Sequence, residues 1–225
     1  MIQHNASPDA LHNAATNLYE DKTGDWVFET PEWHSWINCQ ERALWIHGIP
    51  GAGKTVLASH VIEKTISICE TQGKQTRTVY YYCHHSHDQD EARPFLRWLV
   101  SELLRSLDVI PITLWGMYQR GNEPDTLQLL YALDKALYSF DRVYVCIDAL
   151  DESQSREHLL AVLERLVTAA QLAKIQPFAT SREYEDINRK MRCIAQPLSM
   201  SNPFVDADIR LYVVAKIREN PKFQA

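Results

Sequence analysis

The run Gly48-Ile49-Pro50-Gly51-Ala52-Gly53-Lys54-Thr55 constrains this chain more than any other feature. It satisfies G-x-x-x-x-G-K-[ST] at every fixed position. Such a loop works only between a strand and a helix. Ala43-Leu44-Trp45-Ile46 is a short apolar run that reads as the buried strand before it. After it, Val56, Leu57, Val61, Ile62 and Ile66 fall near one helical face, and Gly73 breaks the helix. The 225 residues include only seven glycines, yet three of them, Gly48, Gly51 and Gly53, lie in this loop. Side chains there would obstruct backbone N–H groups that must converge on phosphate oxygens. The helix N-terminus adds free donors and the positive end of its dipole. Lys54 supplies a point charge for the β- and γ-phosphates, and Thr55 a hydroxyl for Mg²⁺. Residues 48–55 are therefore the expected nucleotide cradle, Ile49, Pro50 and Ala52 included.

A phosphate loop needs a metal-holding acid at the end of a neighbouring strand. Val143 to Ile147 is a continuous apolar run, hence a strand buried on both faces, and it ends in Asp148. Asp148 and Thr55 are the expected Mg²⁺ ligands. Asp151 and Glu152 add two carboxylates at the same strand end, where open α/β sheets bind ligands. Either can orient an attacking water, or both can simply start the next helix, where acids suit the dipole. A later strand, Ile175 to Ala179, leads into Thr180-Ser181-Arg182. Arg182 can read a γ-phosphate, or form a surface ion pair with Glu183 or Glu185.

The remaining pattern alternates strands and helices. Thr30-Pro31 reads as an N-cap and first turn, with Trp33, Trp36 and Ile37 inward. Thr78 to Cys83 is a strand, followed by a helix with Leu96, Leu99, Val100, Leu103, Leu104 and Leu107 on one stripe. Another helix carries Leu127, Leu130, Leu133 and Leu137, and the next Leu159 to Ala170. Residues 108–125 are the least organised stretch. Cys193 to Leu198 is a candidate fifth strand, and a last helix near Asp206 to Asn220 would turn Ile209, Tyr212, Val213 and Ile217 inward. The predicted class is α/β, a three-layer sandwich around a mostly parallel sheet.

The net charge of −6 argues against a general affinity for nucleic acid. No apolar run is long enough for a membrane span, and residues 1–17 lack the apolar core of a signal peptide. The five scattered cysteines form no CxxC pair and read as reduced thiols in a cytoplasmic protein. Cys83-His84-His85-Ser86-His87 is too tightly spaced for a zinc ribbon and reads as an ordinary polar loop. The tryptophans read as packing groups before base-stacking ones.

Together these elements resemble the NACHT class of STAND NTPases, in particular the nephrocystin-like N-terminal NTPase domain of fungal proteins. The resemblance rests on Thr23-Gly24-Asp25-Trp26, Trp36, the run Leu44 to Thr55, Ile147 to Glu152, and Thr180-Ser181-Arg182. It implies a five-stranded sheet of order 5-1-4-3-2, with the arginine-bearing sensor strand between the two Walker strands. It implies an ATP/ADP-controlled switch in signalling or non-self recognition, with self-association or partner domains in the full-length protein. It divides the chain into a partly helical or disordered extension (1–22), the NTPase domain (23–200), and a C-terminal helix (201–225) leading to an absent winged-helix or repeat region.

No NKxD or LSGGQ-like run is present, which favours ATP while leaving GTP open. The sequence reading is slow nucleotide hydrolysis, with Asp151, Glu152 and Arg182 as the catalytic candidates. The alternatives are a nucleotide-loaded scaffold without turnover and, last, a phosphotransferase.

Overall fold

A computed structural model of the chain describes residues 7–73, 75–107, 109 and 123–219. Its centre is one parallel five-stranded sheet: β1 (Leu44–His47), β2 (Thr76–Tyr82), β3 (Arg142–Asp148), β4 (Ile175–Ser181) and β5 (Gln196–Ser199). The order is β2-β3-β4-β1-β5, the expected 5-1-4-3-2 seen from the other edge. The register aligns Tyr82 with Asp148, Ile147 with Ala179, and His47 with Ser181. The carboxyl ends of β1, β3 and β4 thus open onto one rim.

Both faces of the sheet are covered, which explains the apolar strands. Val143, Val145 and Ile147 face one core, whereas Tyr144 and Cys146 face the other. On the first side lie α4 (Ala92–Arg105), α5 (Thr126–Ala136), α6 (Arg156–Thr168) and α7 (Glu185–Ile194). On the second lie α2 (Pro31–Ile37) and α3 (Lys54–Gln72), with α1 (Pro8–Thr16) packed against α3 and β2. The helix α8 (Pro203–Glu219) follows β5. Among the described residues, no helix is long and apolar enough to cross a membrane.

Local signals explain several boundaries. The Thr30 side chain accepts a hydrogen bond from the Trp33 N–H and Pro31 opens α2, as the sequence implies. Asp125 and Gln128 form a reciprocal capping box at the start of α5. Pro177 lies in the central strand β4 without breaking the ladder. Its carbonyl accepts from the Trp36 indole N–H at 2.8 Å, and pairing with β1 begins only at Phe178. A residue's N–H and C=O point to the same side of a strand, so the missing donor falls where no strand needs one.

Three sequence expectations are corrected. Leu127 is exposed, and α5 buries Leu129, Ala132, Leu133 and Ala136 instead. Cys193 belongs to α7, and β5 begins at Gln196, because the helical stripe Ile187, Met191, Ile194 runs past the cysteine. In α8, Ile209, Tyr212, Val213 and Ile217 are each more than 40% exposed. Its apolar side chains are spread around the helix among charged ones, with Leu211 and Val214 exposed as well, so periodicity could not choose its inner face. Of the stretch 108–125, residues 108 and 110–122 lie outside the described residues. The five cysteines are free thiols.

Candidate functional site

The strand β1 is pinned where the loop leaves it. Trp45 is fully buried, and its indole N–H donates to Ser181 Oγ at 2.9 Å at the end of β4. The Gly48 N–H then donates to the Ser181 carbonyl at 3.3 Å. The three loop glycines serve different ends. A Cβ at Gly48 would lie 2.9 Å from Met200 Cβ, so this glycine allows the segment after β5 to pack against the loop. Gly51 and Gly53 face open space but hold φ of +76° and +85°, a left-handed turn that L side chains resist. Gly53 is also the residue immediately before α3, so the first turn of that helix opens at the loop.

A polar pocket of about 300 Å³ lies at this rim. Its walls include Pro50, Gly51, Gly53, Lys54, Thr55, Asp148, Asp151, Glu152 and Arg182. Of the predicted residues, Gly48, Ile49 and Ala52 do not line it. The Lys54 ammonium donates to the carbonyls of Gly48 and Ile49, at 2.9 and 2.8 Å. Burial pushes its pKa down, opposed chiefly by the Asp151 charge.

Asp148 is 3% exposed. Burial pushes its pKa up to about 6, tempered by hydrogen bonds from the hydroxyls of Thr180 and Thr55. Thr180 is the site residue that sequence reasoning quoted but gave no role. Its hydroxyl donates to Asp148 Oδ1 and accepts from the Ala149 N–H at 3.0 Å. The signal was its place two residues before Arg182 on the strand next to Asp148. Ala149 has φ of +59°, so the turn after the acid is left-handed, and a small residue limits the strain.

The two following carboxylates differ. Asp151 accepts from the Arg182 backbone N–H at 2.8 Å and pairs with its Nε at 3.2 Å. Arg182 therefore pairs across the strand ends with Asp151, whereas Glu183 meets Arg192 at 3.3 Å. The Arg182 side chain is 41% exposed at the pocket rim. Glu152 instead accepts from the His85 N–H at 2.9 Å.

A second cavity of about 290 Å³ lies beyond Gly51, Gly53 and Val56, which line both. It is mainly apolar, walled by Leu18, Tyr19, Trp26, Leu57, Met200 and Val205 among others. Asp208 of α8 enters it. Its Oδ2 accepts from the Gly24 N–H at 2.8 Å and the Trp26 indole N–H at 3.1 Å. Gly24 has φ of +81°, and a Cβ there would meet Leu57 Cδ1 at 2.6 Å. Thr23 to Trp26 thus packs on the loop helix and ties down α8.

Residues 22–182 match the family model described as Nephrocystin 3, N-terminal. The chain belongs to the nephrocystin 3 N-terminal family. The match spans the glycine loop, Asp148, Asp151, Glu152 and Arg182. No curated protein sequence matches the chain. Solved structures share the fold of this nephrocystin-type domain. ORC1 of Aeropyrum pernix, solved in complex with DNA, is 14% identical, with a TM-score of 0.57 over 95% of this chain and 53% of that one. Cdc6p of Pyrobaculum aerophilum is 14% identical, with a TM-score of 0.56 over 90% and 58%. Drosophila ORC bound to AT-rich DNA and Cdc6 is 12% identical, with a TM-score of 0.51 over 89% and 60%. The nephrocystin-type chain therefore spans just over half the length of these proteins, and the likeness is one of P-loop NTPase-like fold.

These neighbours overturn the expectation of no nucleic-acid partner. Proteins that carry this fold were solved on DNA. A net charge of −6 is a sum over the whole surface; it does not decide what one face contacts.

Proposed function

We propose that this domain binds a Mg-nucleoside triphosphate across the glycine loop and hydrolyses it slowly, as a conformational switch. The observation that carries this reading is the convergence of Lys54, Thr55, Asp148, Glu152 and Arg182 on one pocket from three separate segments. Lys54 and the loop N–H groups would take the phosphates. Thr55 and Asp148 would hold Mg²⁺: hydroxyl and carboxylate oxygens on one wall are the hard donors that ion requires. Bound there, the ion would neutralise charge on the phosphates. Glu152 would orient the attacking water, and Arg182, held by Asp151, would sense the γ-phosphate.

The base would lie in the apolar cavity beyond Gly51 and Gly53, stacked among apolar side chains, with Asp208 the one charged group lining it among the described residues. We favour ATP. The signalling role in a fungal-type protein rests on the sequence resemblance alone.

A second reading, a nucleotide-loaded module without turnover, is favoured by the engagement of both acids. Asp151 is held by Arg182 and Glu152 by the His85 N–H. Two measurements test these readings. Denaturing the purified protein should release ATP or ADP; a guanine nucleotide would overturn the base assignment. Phosphate release should fall at least about 100-fold in Glu152→Gln. Equal release from wild type and Glu152→Gln would leave only the second reading.

A further inference from the structure

The loop after β2 and the loop after β3 are joined by backbone contacts beyond the sheet. The Cys83 N–H donates to the Asp148 carbonyl at 3.1 Å, and the Gln154 N–H to the Gln89 carbonyl at 3.1 Å. The Glu91 N–H donates to Ser153 Oγ at 3.2 Å. Between these ties, His84, His85 and Glu152 each offer a ligand atom, all within 4.8 Å of one another. The tight spacing of the histidines argued against metal binding in the sequence. What it could not reveal is a third donor 67 residues away, which the fold supplies.

We propose that His84, His85 and Glu152 form a site for a zinc-class divalent cation, separate from the Mg²⁺ of the nucleotide. Two imidazole nitrogens and one carboxylate with open positions are a typical zinc donor set. Mg²⁺ demands oxygen ligands and is a poor match. His85 Nδ1 already lies 3.3 Å from Glu152 Oε2. The rings of His84 and His85 stack at 4.5 Å between centroids, which brings their edges side by side. Tetrahedral bonds of about 2.0–2.2 Å put donors about 3.3 Å apart, so the three need to close by about 1.5 Å at most. The His85 side chain is 77% exposed and has room to move. Glu152 Oε2 accepts the His85 N–H along one lone pair, which leaves its other lone pair for a metal. The Cys83 thiol is buried in the core and is not part of the set. Glu152 also borders the phosphate pocket, so the cation would share a carboxylate with it.

The test is a calorimetric titration of Zn²⁺ into the chelator-stripped, nucleotide-free full chain. Cobalt absorption would report the coordination geometry, and circular dichroism would check the fold of each variant. One equivalent should bind, with Co²⁺ giving visible bands of four- or five-coordinate geometry. His84→Ala, His85→Ala and Glu152→Gln should each weaken binding at least about tenfold. His158→Ala, another exposed histidine, and Lys54→Ala should leave it unchanged. Unaltered affinity in the His84→Ala/His85→Ala double variant, or no saturable binding by the wild type, would overturn the proposal. Loss of zinc binding in Lys54→Ala would overturn the separateness of the two sites, while the Glu152→Gln hydrolysis test concerns the nucleotide reading alone.

Discussion

The two cavities flanking the glycine loop are built on different principles. The polar one is made by strand ends: Asp148 from β3, Thr180 and Arg182 around the end of β4, Lys54 and Thr55 from the loop helix. Those groups are held by a parallel sheet with both faces buried. The apolar one is made by segments outside the sheet, namely Leu18 to Trp26 and the start of α8, fastened at Asp208. Rigid strands position charge, whereas peripheral segments wrap the apolar part. The second cavity should therefore be the easier to open without unfolding the domain.

Breaking the apolar side at its tightest contact should have the largest effect on stability. Gly24→Ala combines a 2.6 Å approach to Leu57 with φ of +81°. We expect a loss of about 2–4 kcal/mol from overpacking and left-handed strain, read from denaturant midpoints at constant m. A loss under about 0.5 kcal/mol would mean that the segment is not held as described.

The polar side should respond in the opposite direction. A carboxyl raised from 3.8 to about 6 has an ionised form disfavoured by about 3 kcal/mol in the fold. Between those pH values the folded state binds more protons than the unfolded one. Stability should therefore fall as pH rises from about 4 through about 6. Asp148→Asn should stabilise the nucleotide-free protein by about 1–3 kcal/mol above pH 6 and by much less at pH 4. Equal stabilisation at both values would show that ionisation of Asp148 is not its cause.

The smallest effect should come from unfastening α8. Asp208→Ala removes one acceptor from two donors, with an expected loss of about 1–2 kcal/mol. Hydrogen exchange should rise at Gly24 and in α8 but not in β3 or β4. Increased exchange throughout the sheet would contradict the independence of the two sides.

The same contrast explains what the sequence made legible. The loop, α3, Asp148 and the Thr180-Ser181-Arg182 end were readable because each is a short local pattern with strong constraints: a positive φ, a helix start, or an acid ending an apolar strand. Asp151 and Glu152 could be named but not told apart, since only the fold pairs one with Arg182 and the other with His85. The apolar cavity was not legible. It joins Trp26, Leu57, Met200 and Asp208 across the length of the chain, and α8 has no single apolar stripe to orient it. Tyr80 illustrates the same limit, since its hydroxyl donates to Asp9 across 71 residues.

Nucleotide binding at the glycine loop is decided by calorimetric titration of Mg-ATP into the wild type and Lys54→Ala. We expect saturable one-to-one binding by the wild type and a loss of at least about 100-fold, or about 2.7 kcal/mol, in the variant. Equal affinities for the two proteins, with both folded, would contradict it.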